Sequence, residues 1–265
     1  MVHLAAAVGV QLILQRPLEA LVTNVKGTET VVEACAALGR KVMVASTSEI
    51  YGKNGDGPLH EDADRVLGSL YKARWSYSTA KAVDEILAYT YWREWGTPSI
   101  VARLFNCVGP RQTGAYGMVV PRLVRQALDG QALTVFGDGR QRRCFCHVVD
   151  LVDCLLRLLE HPDAVGQVFN VGSQEETSIN DLAALVLELT RSPSGVVHVP
   201  YDEAYEEGFE DMPRRVPDIT KVTLLTGWQP TRSLREIVAE VVVHERGALS
   251  AQAVASGSRG AGSTG

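Results

Sequence analysis

The sequence predicts an α/β protein organised around a parallel sheet, and three features support that prediction. Short apolar runs alternate with segments of helical periodicity over residues 1–104. Strands that alternate with helices in this way are joined by right-handed crossovers and therefore run parallel. The second half mixes shorter strands and helices, which indicates a smaller mixed α/β unit beside the sheet. With 265 residues, 46% of them hydrophobic, the chain can bury a large core in one or two domains.

Hydrophobic periodicity places the elements of the first half. Apolar side chains recur at helical spacing over residues 17–38, and Gly39 suits the position just past the end of a helix. A glycine-rich and acidic stretch follows the second strand and indicates a loop. The predicted order is strand end 1–6, helix 17–38, strand 41–46, loop 52–70, helix 75–95 and strand 99–104.

Two capping patterns help to place the helices of the second half. Ser178 is followed three residues later by Asp181, and Ser233 by Glu236, as in a capping box. Beyond Ala248 the chain is small and polar, which predicts a disordered tail over residues 248–265. The predicted order is helix 118–129, strand 133–136, strand 143–147, helix 151–159, strand 167–171, helix 178–190, strand 196–199 and helix 233–246.

Composition and charge argue against several classes of protein. The net charge of −5 and the lack of a basic block argue against binding to nucleic acid or to an anionic membrane surface. No apolar run reaches the ~18 residues that a membrane span needs. The first residues show no basic region followed by an apolar one, so we expect no signal peptide.

The five cysteines are predicted to be buried, reduced thiols of a cytosolic protein. Their number is odd, and each lies inside an apolar pattern. Cys144 and Cys146 would share one face of a strand, but no second pair or histidine cluster lies nearby, so we expect no metal site. The five are Cys35, Cys107, Cys144, Cys146 and Cys154.

The YSTAK stretch carries the first chemical signal. Tyr77 and Lys81 are four residues apart on a predicted helix and therefore share one face. An ammonium beside a phenol stabilises the phenolate and lowers its pKa from the usual value of about 10. Such a tyrosine could take a proton from an alcohol near neutral pH. Alone, the Tyr-x-x-x-Lys spacing is weak, because two surface residues of a helix often show it.

Polar segments follow two of the predicted strands, as STSEIYG at residues 46–52 and FNCVGPR at 105–111. In open α/β sheets, ligands bind outside the carboxyl ends of the strands. Two arginine pairs, Arg142–Arg143 and Arg214–Arg215, offer guanidinium forks that suit diphosphate oxygens. For each segment alone, a turn or a solvated charge is the alternative interpretation.

Together these motifs closely resemble the extended short-chain dehydrogenase/reductase family acting on nucleotide sugars. The resemblance covers about residues 1–247, and the ordered motifs are STSEIYG, YSTAK, RLFNCVGPR, TVFGDGRQRRCFCHV, FNVG and RVPDITKV. Members include UDP-hexose 4-epimerases, UDP-glucuronate decarboxylases and sugar-nucleotide 4,6-dehydratases. The resemblance implies a cytoplasmic enzyme with NAD as cofactor and a UDP-linked sugar as substrate. It also implies a homodimer in which helices 18–38 and 75–95 of each subunit form a four-helix bundle.

The same resemblance implies a domain division. Residues 1–110 would belong to a Rossmann-like dinucleotide-binding domain, to which strands from about 143–172 return. Residues 111–142 and 173–247 would form the smaller substrate domain.

Individual roles follow from the resemblance as well. Tyr77 would remove the C4 hydroxyl proton while hydride passes to NAD, Lys81 would lower the tyrosine pKa and bind the nicotinamide ribose, and Thr47 would bind the C4 oxygen. Residues near the dinucleotide would be Leu4, Ala5, Ala6, Asn24, Ala45 and Leu104. Residues that contact the diphosphate or ribose would be Asn106, Arg143 and Arg215. The segments that hold the base and its ribose would contain Val119, Thr134 and Phe136.

The chain departs from the family pattern at its start. The family begins with a Gly-x-x-Gly-x-x-Gly turn that holds the pyrophosphate at a helix N-terminus, and no such motif occurs here. The first residues instead match the fourth strand of the family, so about 60 residues would be missing. A misassigned start, a truncation and a degenerate copy are the alternatives. From this we expect an unpaired sheet edge and NAD binding weaker than low micromolar, and a non-catalytic remnant stays an alternative function.

The reaction depends on residues 48 and 49. Family dehydratases often carry Thr-Asp-Glu, whereas this chain has Ser48, which has no useful acidity. Decarboxylases carry Thr-Ser-Glu, and there Ser48, Glu49 and Arg143 would manage the carboxylate and the enolate. GDP-mannose dehydratases share Thr-Ser-Glu but differ over residues 105–110, and simple epimerases often have a small or neutral residue at position 49. The resemblance therefore ranks UDP-glucuronate decarboxylation first, 4-epimerisation second and 4,6-dehydration third.

Overall fold

The computed structural model describes residues 1–55, 57–72, 74–114, 118–204 and 210–260. The strands are β1 (Val2–His3), β2 (Val42–Thr47), β3 (Ser99–Leu104), β4 (Cys107–Val108), β5 (Leu133–Phe136), β6 (Arg142–Cys144), β7 (Cys146–His147), β8 (Val168–Val171), β9 (Glu176–Ser178), β10 (Val196–Val199) and β11 (Arg214–Arg215). The helices are α1 (Val10–Gln15), α2 (Pro17–Ala37), α3 (Arg74–Trp95), α4 (Val119–Leu128), α5 (Val148–Glu160), α6 (Ile179–Thr190), α7 (Tyr201–Ala204), α8 (Thr220–Thr226) and α9 (Leu234–Gly260), with 3₁₀ turns at Ser48–Tyr51 and Pro162–Ala164.

The main sheet has the strand order β1-β2-β3-β8, and all its pairings are parallel. This confirms the predicted parallel α/β architecture. Successive side chains of a strand point to opposite faces. Val42 and Val44 of β2 therefore pack with α2 and α3, whereas Met43 between them packs with α5 and α8. Burial on both faces is typical of strands in a parallel sheet.

The second unit packs α4, α6 and α9 around a separate apolar core, beside the parallel pair β5–β10. Phe145 separates β6 from β7: its side chain lies in this core, while Cys146 lies in the core against the main sheet. The strand predicted over 143–147 is therefore two short strands. Of the strands expected to return to the main sheet from 143–172, β8 does so, whereas β6 pairs with β9 and β11.

Most predicted elements lie within one residue of the observed ones, among them α2, α3, β2, β3, β5 and β10. The strand expected over residues 1–6 is only two residues long, and α1, α7, α8, β4, β9 and β11 had not been predicted. Helix α9 runs to Gly260, so residues 248–260 are helical where the sequence predicted a disordered tail. This stretch contains no proline, and extending a helix that has already started costs far less than starting one, so α9 continues through its alanines, serines and glycines alike. Residues 261–265 lie outside the described residues.

All five cysteines are free thiols, four of them buried and Cys107 partly buried. Within the described residues, no cluster of His, Cys, Asp and Glu side chains is placed to hold a metal ion. None of the helices in the described part of the chain combines the length and apolar character that a membrane crossing requires.

One buried arginine ties the elements around the strand ends together. Arg103 of β3 donates from Nε and Nη2 to the Glu85 carboxylate of α3, at 3.0 and 2.7 Å. Its Nη1 donates to the Tyr51 hydroxyl at 2.9 Å and to the Glu61 carbonyl at 2.6 Å. Tyr51 in turn donates to Asn170 of β8 at 2.8 Å. The fork therefore holds α3 and the turn after β2 in one relative orientation.

We expect Arg103→Lys to lower the free energy of unfolding by about 1–3 kcal/mol, because lysine cannot make the bidentate contact with Glu85. Urea denaturation followed by circular dichroism measures the change. The control is Arg16→Lys, whose pair with Glu19 lies on the surface; its effect should stay below about 0.5 kcal/mol. Equal losses in the two variants would contradict the role given to Arg103.

Candidate active site

A cleft of about 460 Å³ lies at the carboxyl ends of β1, β2 and β3, and both units contribute to its walls. This is the usual position of a ligand site in an open α/β sheet. The predicted site residues that line it are Leu4, Ala6, Ala45, Thr47, Ser48, Glu49, Tyr77, Lys81, Leu104, Asn106, Val119, Phe136, Arg143 and Arg215. Motifs that are distant in the sequence thus meet in one place.

The turn after β2 positions Thr47 and Glu49. The Thr47 hydroxyl caps this 3₁₀ turn by accepting a hydrogen bond from the Glu49 amide at 3.2 Å. The same hydroxyl is hydrogen-bonded to the Tyr77 side chain. Gly52 ends the turn with a φ of 61°, and a side chain there would clash with the carbonyl oxygen of Val66. The turn therefore requires glycine at this position and holds its polar residues beside Tyr77.

Lys81 lies one helical turn after Tyr77 on α3, as predicted, but its partner is Asp84. The Lys81 Nζ is 3.0 Å from Asp84 Oδ2, and the two side chains are 3% and 0% exposed. Asp84 follows Lys81 by three residues and Tyr77 by seven, so the three share one face of α3. The face that carries the predicted base and cation thus also carries a buried carboxylate.

The pKa of Tyr77 in the free protein is raised above its ordinary value, and Lys81 is not among the main groups that act on it. Burial is the largest cause, and the carboxylates of Glu49 and Asp84 raise the pKa further. The hydrogen bond with Thr47 and the charge of Arg215 act in the opposite direction without compensating. Asp84, which pairs with the Lys81 ammonium, is thus one of the groups that oppose ionisation of the phenol.

The two predicted arginines of the cleft each lie next to a carboxylate. Arg143 donates from Nη2 to Asp211 Oδ1 at 2.7 Å. Arg215 donates from Nη2 to the Asn106 amide oxygen at 2.7 Å, and its Nη1 lies 3.4 Å from Glu49 Oε1. Guanidinium groups held in this way can exchange a carboxylate for phosphate oxygens.

Three predicted residues, Ala5, Asn24 and Thr134, are not among the residues that line the cleft. The Asn24 amide bonds the N–H and the carbonyl of Ala7, at 2.7 and 3.1 Å. The Thr134 carbonyl accepts from Arg122 at 2.7 Å. Asn24 and Thr134 therefore support the walls of the cleft from behind.

Several cleft residues had not been identified from the sequence. Tyr201 and Asp211 lie in irregular or very short segments without a recognisable pattern, and the Tyr201 hydroxyl donates to Asp211 Oδ2 at 2.8 Å. Arg122 of α4 resembles any polar residue of an amphipathic helix, yet its guanidinium lies 4.5 Å from the centre of the Phe136 ring. Asp84, which lies behind the cleft and does not line it, did carry a signal, namely its spacing of three residues from Lys81.

Comparison with known proteins agrees with this geometry. The model of the NAD dependent epimerase/dehydratase family matches residues 1–172. A UDP-N-acetyl-alpha-D-glucosaminuronate decarboxylase of Bacillus cytotoxicus is 40% identical, over 91% of this chain and 74% of that protein. UDP-glucuronic acid decarboxylase 1 of Xenopus tropicalis is 34% identical, over 95% of this chain and 58% of that protein. The chain thus spans 58–74% of the length of these two relatives.

A solved structure is also similar. It is UDP-glucuronic acid 4-epimerase from Bacillus cereus in complex with UDP-glucuronic acid and NAD. The TM-score is 0.82 at 27% identity, and the match covers 93% of this chain and 76% of that one.

We expect Tyr77 to stay protonated in the free protein at neutral pH, because burial and two carboxylates raise its pKa. The tyrosinate absorbance difference between the wild-type chain and Tyr77→Phe should therefore stay flat up to about pH 10, where a free phenol ionises. Free tyrosine in the same buffers calibrates the signal of one phenolate. A difference of that size at or below about pH 9 would show that Tyr77 ionises more easily than its surroundings imply.

Proposed function

Because the chain belongs to the NAD dependent epimerase/dehydratase family, we propose that it removes carbon dioxide from a UDP-linked uronate by way of a 4-keto sugar. The observation that carries this proposal is the position of Glu49, which lies in the cleft beside Tyr77 and 3.4 Å from Arg215. Taking a proton from the C4 hydroxyl requires no acidic residue there, whereas chemistry at the adjacent carbon can use one. The names of the two decarboxylase relatives support the same conclusion.

One end of the cleft fits a nicotinamide cofactor. The buried Lys81 offers an ammonium at its floor, where the family resemblance places the nicotinamide ribose. The apolar walls around it, which suit a flat ring, consist of Leu4, Ala6, Ala45 and Leu104. When bound, NAD supplies a hydride acceptor for the sugar carbon and a positive charge beside the tyrosine.

Once the positive charge of bound NAD favours its phenolate, Tyr77 would be the group placed to accept the C4 hydroxyl proton, and Thr47 shares a hydrogen bond with it. Oxidation at C4 places a carbonyl β to the carboxylate carbon. The bond between C5 and the carboxylate then breaks, carbon dioxide leaves, and the electron pair enters an enolate that is protonated at C5. Ser48 and Glu49 directly follow Thr47, so they border C5 when Thr47 holds the C4 oxygen. Tyr77 returns its proton as C4 is reduced.

Arg143 and Arg215 are placed to hold the anionic groups of the substrate. Each is already oriented by a carboxylate, and Arg215 is also held by the Asn106 amide oxygen. Guanidinium forks match phosphate and carboxylate oxygens alike. Val119 and Phe136 line the cleft as well and would border the uridine.

A second candidate function is 4-epimerisation of the same kind of UDP-uronate. The likeness to the solved UDP-glucuronic acid 4-epimerase favours it. Both reactions would begin with the same proton and hydride transfers at C4. They diverge at the 4-keto sugar, which loses its carboxylate in one case and is reduced from the opposite face in the other. Only the first outcome needs chemistry at C5 and therefore depends on Glu49.

The 265-residue chain, supplied with millimolar NAD and with UDP-glucuronate or UDP-N-acetylglucosaminuronate, should release carbon dioxide and form a UDP-pentose. Tyr77→Phe should reduce the rate by about 10²–10⁴-fold, the usual contribution of a general base. Glu49→Gln should slow carbon dioxide release far more than it slows the formation of NADH. Carbon dioxide, the sugar product and NADH absorbance are followed in parallel.

Glu94→Gln is the matched control for Glu49→Gln, because Glu94 is an exposed residue near the end of α3. Its rate should equal that of the wild type. If the wild-type chain forms only the 4-epimer and no pentose, decarboxylation is wrong and epimerisation is the function.

We also propose that the chain forms a homodimer through α2 and α3. These two helices carry exposed apolar side chains, namely Leu18, Val22, Ile86 and Tyr89. Exposed apolar side chains on two neighbouring helices suit burial against a second subunit. The family resemblance implies that the same two helices of each subunit form a four-helix bundle.

Light scattering during gel filtration should give twice the chain mass of 28.7 kDa. The double variant Leu18→Glu/Ile86→Glu should be monomeric, because charges on an apolar interface oppose its burial. Leu224→Glu changes an equally exposed leucine on α8 and should leave the dimer intact. A wild-type chain that stays monomeric at high concentration would exclude this assembly.

A further inference from the structure

The Lys81–Asp84 pair lies in a small buried polar group between α3, β1 and α2. His3 of β1 is buried beside the pair, and the charges of both residues act on its pKa. The His3 Nε2 lies 3.1 Å from the Thr28 hydroxyl of α2. Lys81 lines the cleft, whereas Asp84, His3 and Thr28 do not. The carboxylate thus holds the lysine from the side away from the cleft.

Stability does not account for this pair. Burying two charges costs about as much as their attraction returns, and apolar side chains of similar volume are often as good or better. Asp84 carries a further cost, because its Oδ1 has no hydrogen-bond partner in the described part of the chain. A buried ion pair with one unsatisfied oxygen, next to the predicted base, indicates a role for the charge itself.

We infer that Asp84 is a positioning residue that fixes the Lys81 ammonium at the floor of the cleft. The lysine stem is flexible, and the Glu49 carboxylate also lies in the cleft as a competing partner. Asp84 takes one of the three N–H donors of the ammonium. Because Asp84 fixes the position of the Lys81 nitrogen, the other two N–H groups of the ammonium also have fixed directions and can donate to ligand hydroxyl groups.

This inference rests on the proposed function, in which Lys81 binds the ribose hydroxyls of NAD. It goes further by naming the residue through which the position of the ammonium is set. The nucleotide sugar binds elsewhere in the cleft, at Arg143 and Arg215. A change at Asp84 should therefore affect one ligand and spare the other.

Calorimetric titrations with NAD and, separately, with UDP test this on the wild type, Asp84→Asn, Lys81→Met and Glu94→Gln. Asp84→Asn should weaken NAD binding by about tenfold or more, close to the effect of Lys81→Met. UDP affinity should stay unchanged in both, and Glu94→Gln should change neither. The double variant Lys81→Met/Asp84→Asn should bind NAD no more weakly than Lys81→Met, because Asp84 acts through Lys81.

Urea unfolding of the same variants separates positioning from misfolding. Asp84→Asn should lose more stability than the double variant, because only the single change leaves a buried ammonium unpaired. The inference is overturned if Asp84→Asn binds NAD as the wild type does, if UDP affinity falls with it, or if the two changes weaken NAD binding additively. A wild-type chain that binds no NAD overturns the inference and the proposed function together, whereas unaltered NAD binding by Asp84→Asn removes the inference alone.

Discussion

The contact on which the site depends is the buried fork of Arg103. Its guanidinium binds Glu85, which lies four residues after Lys81 on α3, and thereby sets the rotation and height of that helix. The same guanidinium binds the hydroxyl of Tyr51, the last residue of the turn that Thr47 caps. The relative position of Tyr77 and Thr47 therefore depends on the Arg103 guanidinium, a planar group whose donors have fixed directions.

Cations in the cleft are paired with carboxylates. Three of its cations, Lys81, Arg143 and Arg215, lie against carboxylates at 3.0, 2.7 and 3.4 Å. Pairs of this kind keep charges partly buried without leaving them uncompensated. When an anionic substrate binds, its oxygens can replace these carboxylates as partners of the cations. The cations therefore need not be unpaired before the substrate arrives. Two of these carboxylates, Glu49 and Asp84, also raise the pKa of Tyr77, so proton transfer depends on charges that arrive with the ligands.

Local sequence patterns were sufficient to predict the helices and strands that carry the site residues. They were not sufficient to predict which distant side chains pair with those residues. The periodicity of α2 and α3, the apolar runs of β2 and β3, and the polar residues after them all depend on neighbouring residues in the sequence. The break between β6 and β7 at Phe145 depends instead on two apolar cores, each formed by residues that are distant in the sequence. Asp211 reaches Arg143 across 68 residues, a pairing that no local spacing encodes. Asp84 was predictable in principle, because a carboxylate three residues after a lysine shares its helix face.

The break at Phe145 also limits how the cleft can open. Phe145 and Cys146 are adjacent in the chain, yet their side chains belong to the cores of different units. No flexible linker separates them, so a rotation of one unit against the other would pull a bulky side chain out of its packing. Such packing resists continuous deformation. The packing of Phe145 and Cys146 into two different cores therefore opposes a hinge motion between the walls of the cleft at this point of the chain.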